Sequence, residues 1–288
     1  MSFTSPLSLA ILVTLIGAIA HAFFNIILKK GTDKLTLRTM TTWCAALYFL
    51  PLTFIMPLPS KEGFYTLCIS ACIHFIYHLC QIKSLEHIDV SISYPLSRGS
   101  APFFIALGSM FFLGETLSFY ILLGISIISF SVLFMLEFQK IRTVPHLGAG
   151  IIWSILTGLC ISIYTLIDSS GARAEDHFLS FVAWFFLFDG FGTTILFFIR
   201  RRGKIIHSIA REYKYAFASG AFCAAAYGFI MYGFVLAEGN TTMIAGIRET
   251  SIIFGMMLAY LILKEHISKK RALAGLGIFL GAVILRLG

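Results

Sequence analysis

Two arginines stand out in a chain that is otherwise strongly apolar. Arg98 lies in Tyr94-Pro95-Leu96-Ser97-Arg98-Gly99-Ser100-Ala101-Pro102, and Arg248 precedes a carboxylate in Ile247-Arg248-Glu249-Thr250-Ser251. A guanidinium presents five donors in a planar fork and keeps its charge, so its chemistry is the recognition of carboxylate or phosphate. At the centre of a membrane helix it costs roughly 2.5–3.5 kcal/mol on insertion scales, so such an arginine must face protein or water. Other polar groups interrupt apolar stretches in the same way. His21 and Asn25 are four apart, as are His74 and His78, so each pair shares one helical face. Tyr77, Tyr94, Tyr164 and Tyr227 add hydroxyls, and Asp189 and Glu249 add ionisable carboxyls within apolar runs. These residues read as the wall of a polar pathway, with packing by interhelical hydrogen bonds as the alternative for His21 and Asn25. The His74/His78 spacing can clamp a metal, yet no third ligand accompanies it on that helix, so no metal is expected. No Ser/His/Asp constellation is evident either, and no catalytic residues are assigned.

The elements that must hold these groups follow from composition. The chain has 288 residues, 58% of them hydrophobic and 12% charged. A soluble domain carries about 25% charged residues, so this is the composition of a polytopic membrane protein. Ten apolar runs qualify as membrane-spanning helices: 7–28, 39–57, 64–82, 92–113, 119–136, 147–167, 178–199, 213–236, 241–263 and 272–287. The fifth and tenth are short. The expected fold class is therefore all-α integral membrane, since the alternating segments of about ten residues that mark a barrel are missing. Pro95 falls in the first turn of the fourth helix, where it is tolerated, whereas Pro102 falls inside and is expected to kink the helix or free a carbonyl. The six cysteines lie within predicted helices and read as packing residues.

Charge placement sets an expected orientation. Of the 22 Lys and Arg, 17 belong to odd-numbered loops (Lys214, at the start of the eighth run, counted with the seventh loop), Lys61, Arg173 and the terminal Arg286 belong to even-numbered loops and the termini, and Arg98 and Arg248 lie well inside spans. The positive-inside rule then puts the odd loops in the cytoplasm and both termini outside. The cluster Arg200-Arg201-Arg202-Gly203-Lys204 reads as an orientation anchor beside anionic lipid, not as a nucleic-acid surface. Gly203-Lys204 lacks the upstream glycine of a phosphate-binding loop and is followed by isoleucine, which excludes transport driven by this chain's own ATP hydrolysis.

The chain also repeats itself. At a fixed offset of 150, Tyr77 falls on Tyr227, Arg98 on Arg248, Leu113 on Leu263, Glu115 on Glu265 and Ser118 on Ser268, while Ser100 meets Thr250. The expected organisation is a first five-helix repeat over 1–138, a linker over 139–146 and a second repeat over 147–288. Five helices is an odd number, so the second repeat is inverted relative to the first, as in many secondary transporters with a midplane site between repeats. Each arginine then enters about seven residues into its helix, roughly 10 Å at 1.5 Å per residue. Inversion would bring the two from opposite membrane faces to flank a cavity from its two ends; the alternative is that each staples its own half by pairing with backbone carbonyls or a carboxylate.

Ten helices as a 5 + 5 repeat, an arginine-bearing fourth helix closing in Leu113-Gly114-Glu115, and the echo Leu263-Lys264-Glu265 resemble the EamA-type drug/metabolite transporter superfamily. Ala20-His21-Ala22 with Asn25 and Lys29, and Tyr94-Pro95 with Arg98-Gly99 and Pro102, look like one bacterial branch of it. The resemblance implies an inner-membrane carrier of amino acids or related metabolites, without a bound cofactor, whose cavity is lined by helices one, three, four, six, eight and nine. Members commonly have cytoplasmic termini, and the charge count argues for the reverse here. The expected activity is secondary active transport of a small polar metabolite by alternating access, coupled to protons or another ion, with Glu249, Asp189 or a histidine carrying the coupling proton. The alternative is a flippase for a lipid-linked or amphipathic substrate. Expected partners are the solute and membrane lipid, with no nucleic acid, and the expected assembly is a monomer or weak dimer.

Overall fold

A computed structural model describes residues 5–136, 147–201 and 205–288. Within them the chain is helical, with eleven helices: α1 (Pro6–Lys30), α2 (Lys34–Ile55), α3 (Lys61–His87), α4 (Val90–Phe112), α5 (Phe119–Phe134), α6 (Leu147–Ala174), α7 (Phe178–Arg201), α8 (Ile205–Leu236), α9 (Thr241–Arg248), α10 (Ser251–Leu263) and α11 (Lys269–Leu285). Among the described residues, six stretches are long and apolar enough to cross a membrane: α1, α3, α6, Phe178–Ile199, Ile209–Leu236 and Thr241–Leu263. Shorter than these are α5 and α11, at 16 and 17 residues. Large apolar side chains lie outward, Phe54, Phe111 and Phe112 each being at least 80% exposed, while Thr41, Asp168 and Glu249 are buried. That distribution suits a multi-pass membrane protein, in which lipid surrounds the apolar faces and polar groups are satisfied inside.

The helices form two compact units, and each draws on both halves of the sequence. The first comprises Met1–Phe75, Ile167–Glu238 and Phe254–Glu265, and the second Ile76–Leu166, Gly239–Ile253 and His266–Gly288. In the first, α1 lies against α8 through a glycine. A Cβ on Gly17 would come 2.8 Å from Ile230 Cγ1 and 3.1 Å from the Ala226 carbonyl. Close backbone approach of this kind is how helices associate where no hydrophobic effect drives them together. The buried Glu212 of α8 ties the turn between α1 and α2, accepting the Thr32 amide at 2.9 Å and the Asp33 amide at 3.0 Å. In the second unit α5 and α11 touch at Gly124 and Gly281, where a Cβ on Gly281 would lie 2.8 Å from the Gly124 carbonyl oxygen.

Residues 114–118 and 264–268, paired at offset 150, have the same local geometry. Gly114 and Lys264 both adopt left-handed backbone, with φ of +67° and +58°. The next residue bonds back six positions in each case, Glu115 N to Ser109 O at 3.1 Å and Glu265 N to Ala259 O at 3.2 Å. Ser118 and Ser268 then cap α5 and α11, accepting from the amides of Ile121 and Arg271. A left-handed residue closing one helix and a serine opening the next is a sharp stop-and-restart, with capping at both ends.

Three expectations are altered. The apolar run 241–263 is not one helix: the backbone tightens to three-residue spacing at Glu249 N to Gly246 O (3.1 Å) and Thr250 N to Ile247 O (3.0 Å) before restarting at Ser251. Most of the stretch between the expected seventh and eighth spans, 200–212, is helical, because α8 starts at Ile205. The sixth helix runs on to Ala174 instead of stopping at 167, which moves Asp168 into its interior. Residues 139–146, the expected linker, and Arg202-Gly203-Lys204 of the basic cluster lie outside the described residues.

Candidate functional site

In the second unit the polar residues gather around one carboxylate. Glu249 sits just past the last residue of α9, where the three-residue turns interrupt the helix, and it is fully buried. Arg98, from the middle of α4, places Nη1 3.4 Å from Glu249 Oε1. Arg248 places Nε 3.5 Å from the same oxygen. Neighbours in a helix point about 100–120° apart, so this contact between adjacent residues is a long one, made at the interruption between α9 and α10. Both arginines therefore converge on one oxygen instead of standing at the two ends of a cavity. Arg248 also donates from Nη1 to Thr165 Oγ1 on α6 at 3.2 Å.

This triad has two fixed cations for one carboxylate, and all three side chains are more than nine-tenths buried. Arg248 Nη2 and Glu249 Oε2 have no hydrogen-bond partner among the described residues. A buried charged donor and a buried carboxylate oxygen are each costly to leave unsatisfied. Aromatic groups border it. The Arg98 guanidinium lies 5.9 Å from the Tyr94 ring centre and also interacts with Tyr164. Tyr164 meets Tyr77 edge-on at 5.7 Å, Tyr77 lies 4.9 Å from the His78 ring, and Gln81 donates to the Tyr77 hydroxyl at 3.1 Å. At the other end of α9 the buried Glu115 accepts the amides of Thr241 at 2.7 Å and Thr242 at 3.3 Å. The carboxylate satisfies orphan donors of the first turn and complements the helix dipole, which fixes the short helix that carries Arg248.

The first unit holds a separate polar cluster. Asp168 on α6 is fully buried and accepts a hydrogen bond from Ser70 Oγ on α3. His74, one turn along α3, has Nδ1 3.0 Å from the Ser70 carbonyl and 3.3 Å from Ser70 Oγ. The groups that act on Asp168 are His74, Ser70, Tyr227 of α8 and Asp189 of α7. Phe185 stacks on Tyr227 at 4.0 Å and meets His74 edge-on at 5.0 Å, closing the cluster with apolar rings. His21 and Asn25 of α1 are half-buried and bonded to each other, with Asn25 Nδ2 3.0 Å from His21 Nδ1 and donating to the His21 carbonyl at 2.9 Å.

Six of the residues singled out from sequence as pathway-lining (Tyr77, His78, Tyr94, Arg98, Tyr164 and Arg248) thus lie in the second unit with Glu249. His21, Asn25, His74, Tyr227 and Asp189 lie in the first. Sequence reasoning missed Asp168, because the predicted helix ended at 167. The rule that singled out Asp189, an ionisable group inside a span, would have singled out Asp168 had the boundary lain a turn later. It also missed Ser70 and Thr165 as partners, which no spacing rule connects to residues 98 and 83 positions away. No group of three or more His, Cys, Asp or Glu that could hold a metal comes together among the described residues.

Comparisons with known proteins bear on this arrangement. No curated protein matches the chain. Among solved structures, one crystal structure superposes with a TM-score of 0.78 over 96% of this chain and 97% of that one, at 15% identity, so the fold is shared. The model of the EamA-like transporter family matches twice, over residues 8–137 and again over 148–287. These matches span nearly the whole sequence, and the chain belongs to the EamA-like transporter family, a family of membrane transporters.

Proposed function

We propose that the protein is a secondary active transporter working by alternating access and coupled to protons or another ion. Its solute is a small polar metabolite bearing a carboxylate, such as an amino acid or related compound. The observation that carries this reading is the Arg98–Glu249–Arg248 triad, whose buried cations exceed its carboxylate and whose Arg248 Nη2 lacks a partner. A planar carboxylate suits the guanidinium fork. Thr165, Tyr94 and Tyr164 are proposed to bound the same pathway, with Tyr77 and His78 beyond. His21, Asn25, His74 and Tyr227 are proposed pathway residues of the first unit. No cofactor is needed for such a cycle.

The architecture proposed with it is ten membrane spans in two inverted five-helix repeats, 1–138 and 147–288, in a bacterial inner membrane with both termini outside. Support comes from the family match falling once on each half and from the shared stop-and-restart geometry of residues 114–118 and 264–268. The interruption at Arg248–Thr250 is the kind of broken helix that lines substrate sites in transporters.

A thermal-shift screen of the purified protein tests the solute class, because a ligand bound to the native state raises its melting temperature. Carboxylate-bearing metabolites are expected to raise it and their methyl esters to leave it unchanged. Arg248→Lys, which keeps the charge and loses the fork, is expected to weaken that shift at least tenfold in solute concentration. Equal shifts from acids and esters would refute the carboxylate site.

A further inference from the structure

We propose that Asp168 is the proton-binding site of this transporter, a step that rests on the proposed secondary transport but uses none of the arginine triad. The carboxylate takes up one proton from one side of the membrane and releases it to the other, passing from charge −1 to neutral and back. The argument is one of neighbours. Glu249 lies between two guanidiniums that keep their charge, so its surroundings change little with the supply of protons. Among the described residues, no arginine or lysine acts on Asp168. From α3 it faces His74, from α7 Asp189 and from α8 the Tyr227 hydroxyl, every one of them able to exchange a proton. Arg173, the nearest cation on α6 itself, bonds instead to the Phe234 carbonyl at 3.4 Å and to Ser169 Oγ at 3.5 Å.

Burial supplies the second part of the argument. Ser70, Asp168 and His74 are each more than nine-tenths buried. A carboxylate removed from water is far more expensive charged than neutral. Without a fixed counter-cation, the cheapest compensation is a proton, either on the carboxyl itself or on the imidazole beside it. Ser70 holds one oxygen by donating its hydroxyl proton to Oδ1. That contact orients the carboxyl and suits its charged form, while protonation of the other oxygen leaves the serine bond intact. The cluster can thus exist in two protonation states without repacking. The family of residues involved (Ser70 and His74 four apart on α3, Asp168 on α6, Tyr227 on α8) comes from both halves of the chain.

Infrared spectroscopy of the full-length purified protein in lipid, with no solute present, tests this directly. The protein is titrated from about pH 4 to about pH 9, the range in which a perturbed carboxyl and an imidazole change charge. Wild type is expected to show one buried protonated-carboxyl C=O band that comes and goes across the titration and shifts in D2O. Asp168→Asn is expected to abolish that band, whereas Asp189→Asn and Glu249→Gln retain it. Should Asp168→Asn fail to fold, Ser70→Ala keeps the question open: loss of the hydrogen bond to Oδ1 is expected to displace the band and its midpoint. A wild-type protein with no such band, a band that survives Asp168→Asn, or one indifferent to Ser70→Ala would overturn the assignment. A titrating band together with no carboxylate-dependent thermal shift would leave this inference standing and refute the solute reading, and the opposite pair of results would do the reverse.

Discussion

At the scale of single residues the arginine triad is governed by charge balance. Removing one partner of a buried ion pair typically costs about 3–5 kcal/mol, because the other charge is left uncompensated. Glu249 serves two cations and each arginine serves one carboxylate. Glu249→Gln therefore leaves two like charges buried side by side, while Arg98→Ala leaves a balanced Arg248–Glu249 pair. The melting temperature of purified protein is expected to fall further for Glu249→Gln than for Arg98→Ala, and the double variant should recover part of the loss. Equal losses for the two single variants would show that the triad does not act as a unit. Arg98 and Arg248 were legible from sequence as a matched pair, since charges within apolar runs are conspicuous. Their meeting at Glu249 was not, because no spacing rule connects residues 98 and 249 across 151 positions or reveals the helix break at which Arg248 and Glu249 lie.

At the scale of elements, the matched helix ends give a pair of opposite predictions. Gly114 is left-handed with no atom within 4 Å of a built Cβ, so an alanine there meets backbone strain and no clash. Gly114→Ala is expected to destabilise by about 1 kcal/mol, and Lys264→Gly, which relieves the same strain at the paired position, to stabilise by about as much. Denaturant unfolding in mixed micelles would read both, and a stabilising Gly114→Ala would show that the left-handed turn is not what closes α4. The short α9 depends on Glu115, which serves as its cap from a distant part of the chain. Glu115→Ala is expected to speed hydrogen exchange at the amides of Thr241 and Thr242, and to cost about 1–3 kcal/mol, the usual penalty for buried donors left unsatisfied. Unchanged exchange at those two amides would refute the cap. The repeated glutamates at 115 and 265 were visible in the sequence, yet their uses differ: Glu115 is buried against α9, and Glu265 forms a partly exposed pair with Lys29.

At the scale of the whole molecule, the composition of the loops makes the prediction. With 17 of 22 Lys and Arg assigned to the odd-numbered loops, a reporter active only in the cytoplasm is expected to be silent when fused after Gly288 and active when fused at Ile88–Asp89, between α3 and α4. Strong activity at the C-terminus would reverse the proposed orientation without touching the fold.

By itself the sequence determined the class of protein, most of its apolar helices and the pairing of residues at offset 150. Those features depend on composition and on apolar length. It also marked His74, His78, Arg98, Asp189, Arg248 and Glu249, six of the nine buried histidine or charged side chains among the described residues, because such groups are conspicuous in apolar runs. The tertiary structure alone decided which of them meet. It joined α4 to the α9–α10 break, gave Arg98 and Arg248 one carboxylate to share, and brought Ser70 to Asp168 across 98 residues of chain. In a sequence this apolar almost any helix face can pack on another. The choice among faces is made by close approach at glycines such as Gly17, Gly124 and Gly281 and by the need to satisfy each buried charge, and both are properties of helices already assembled.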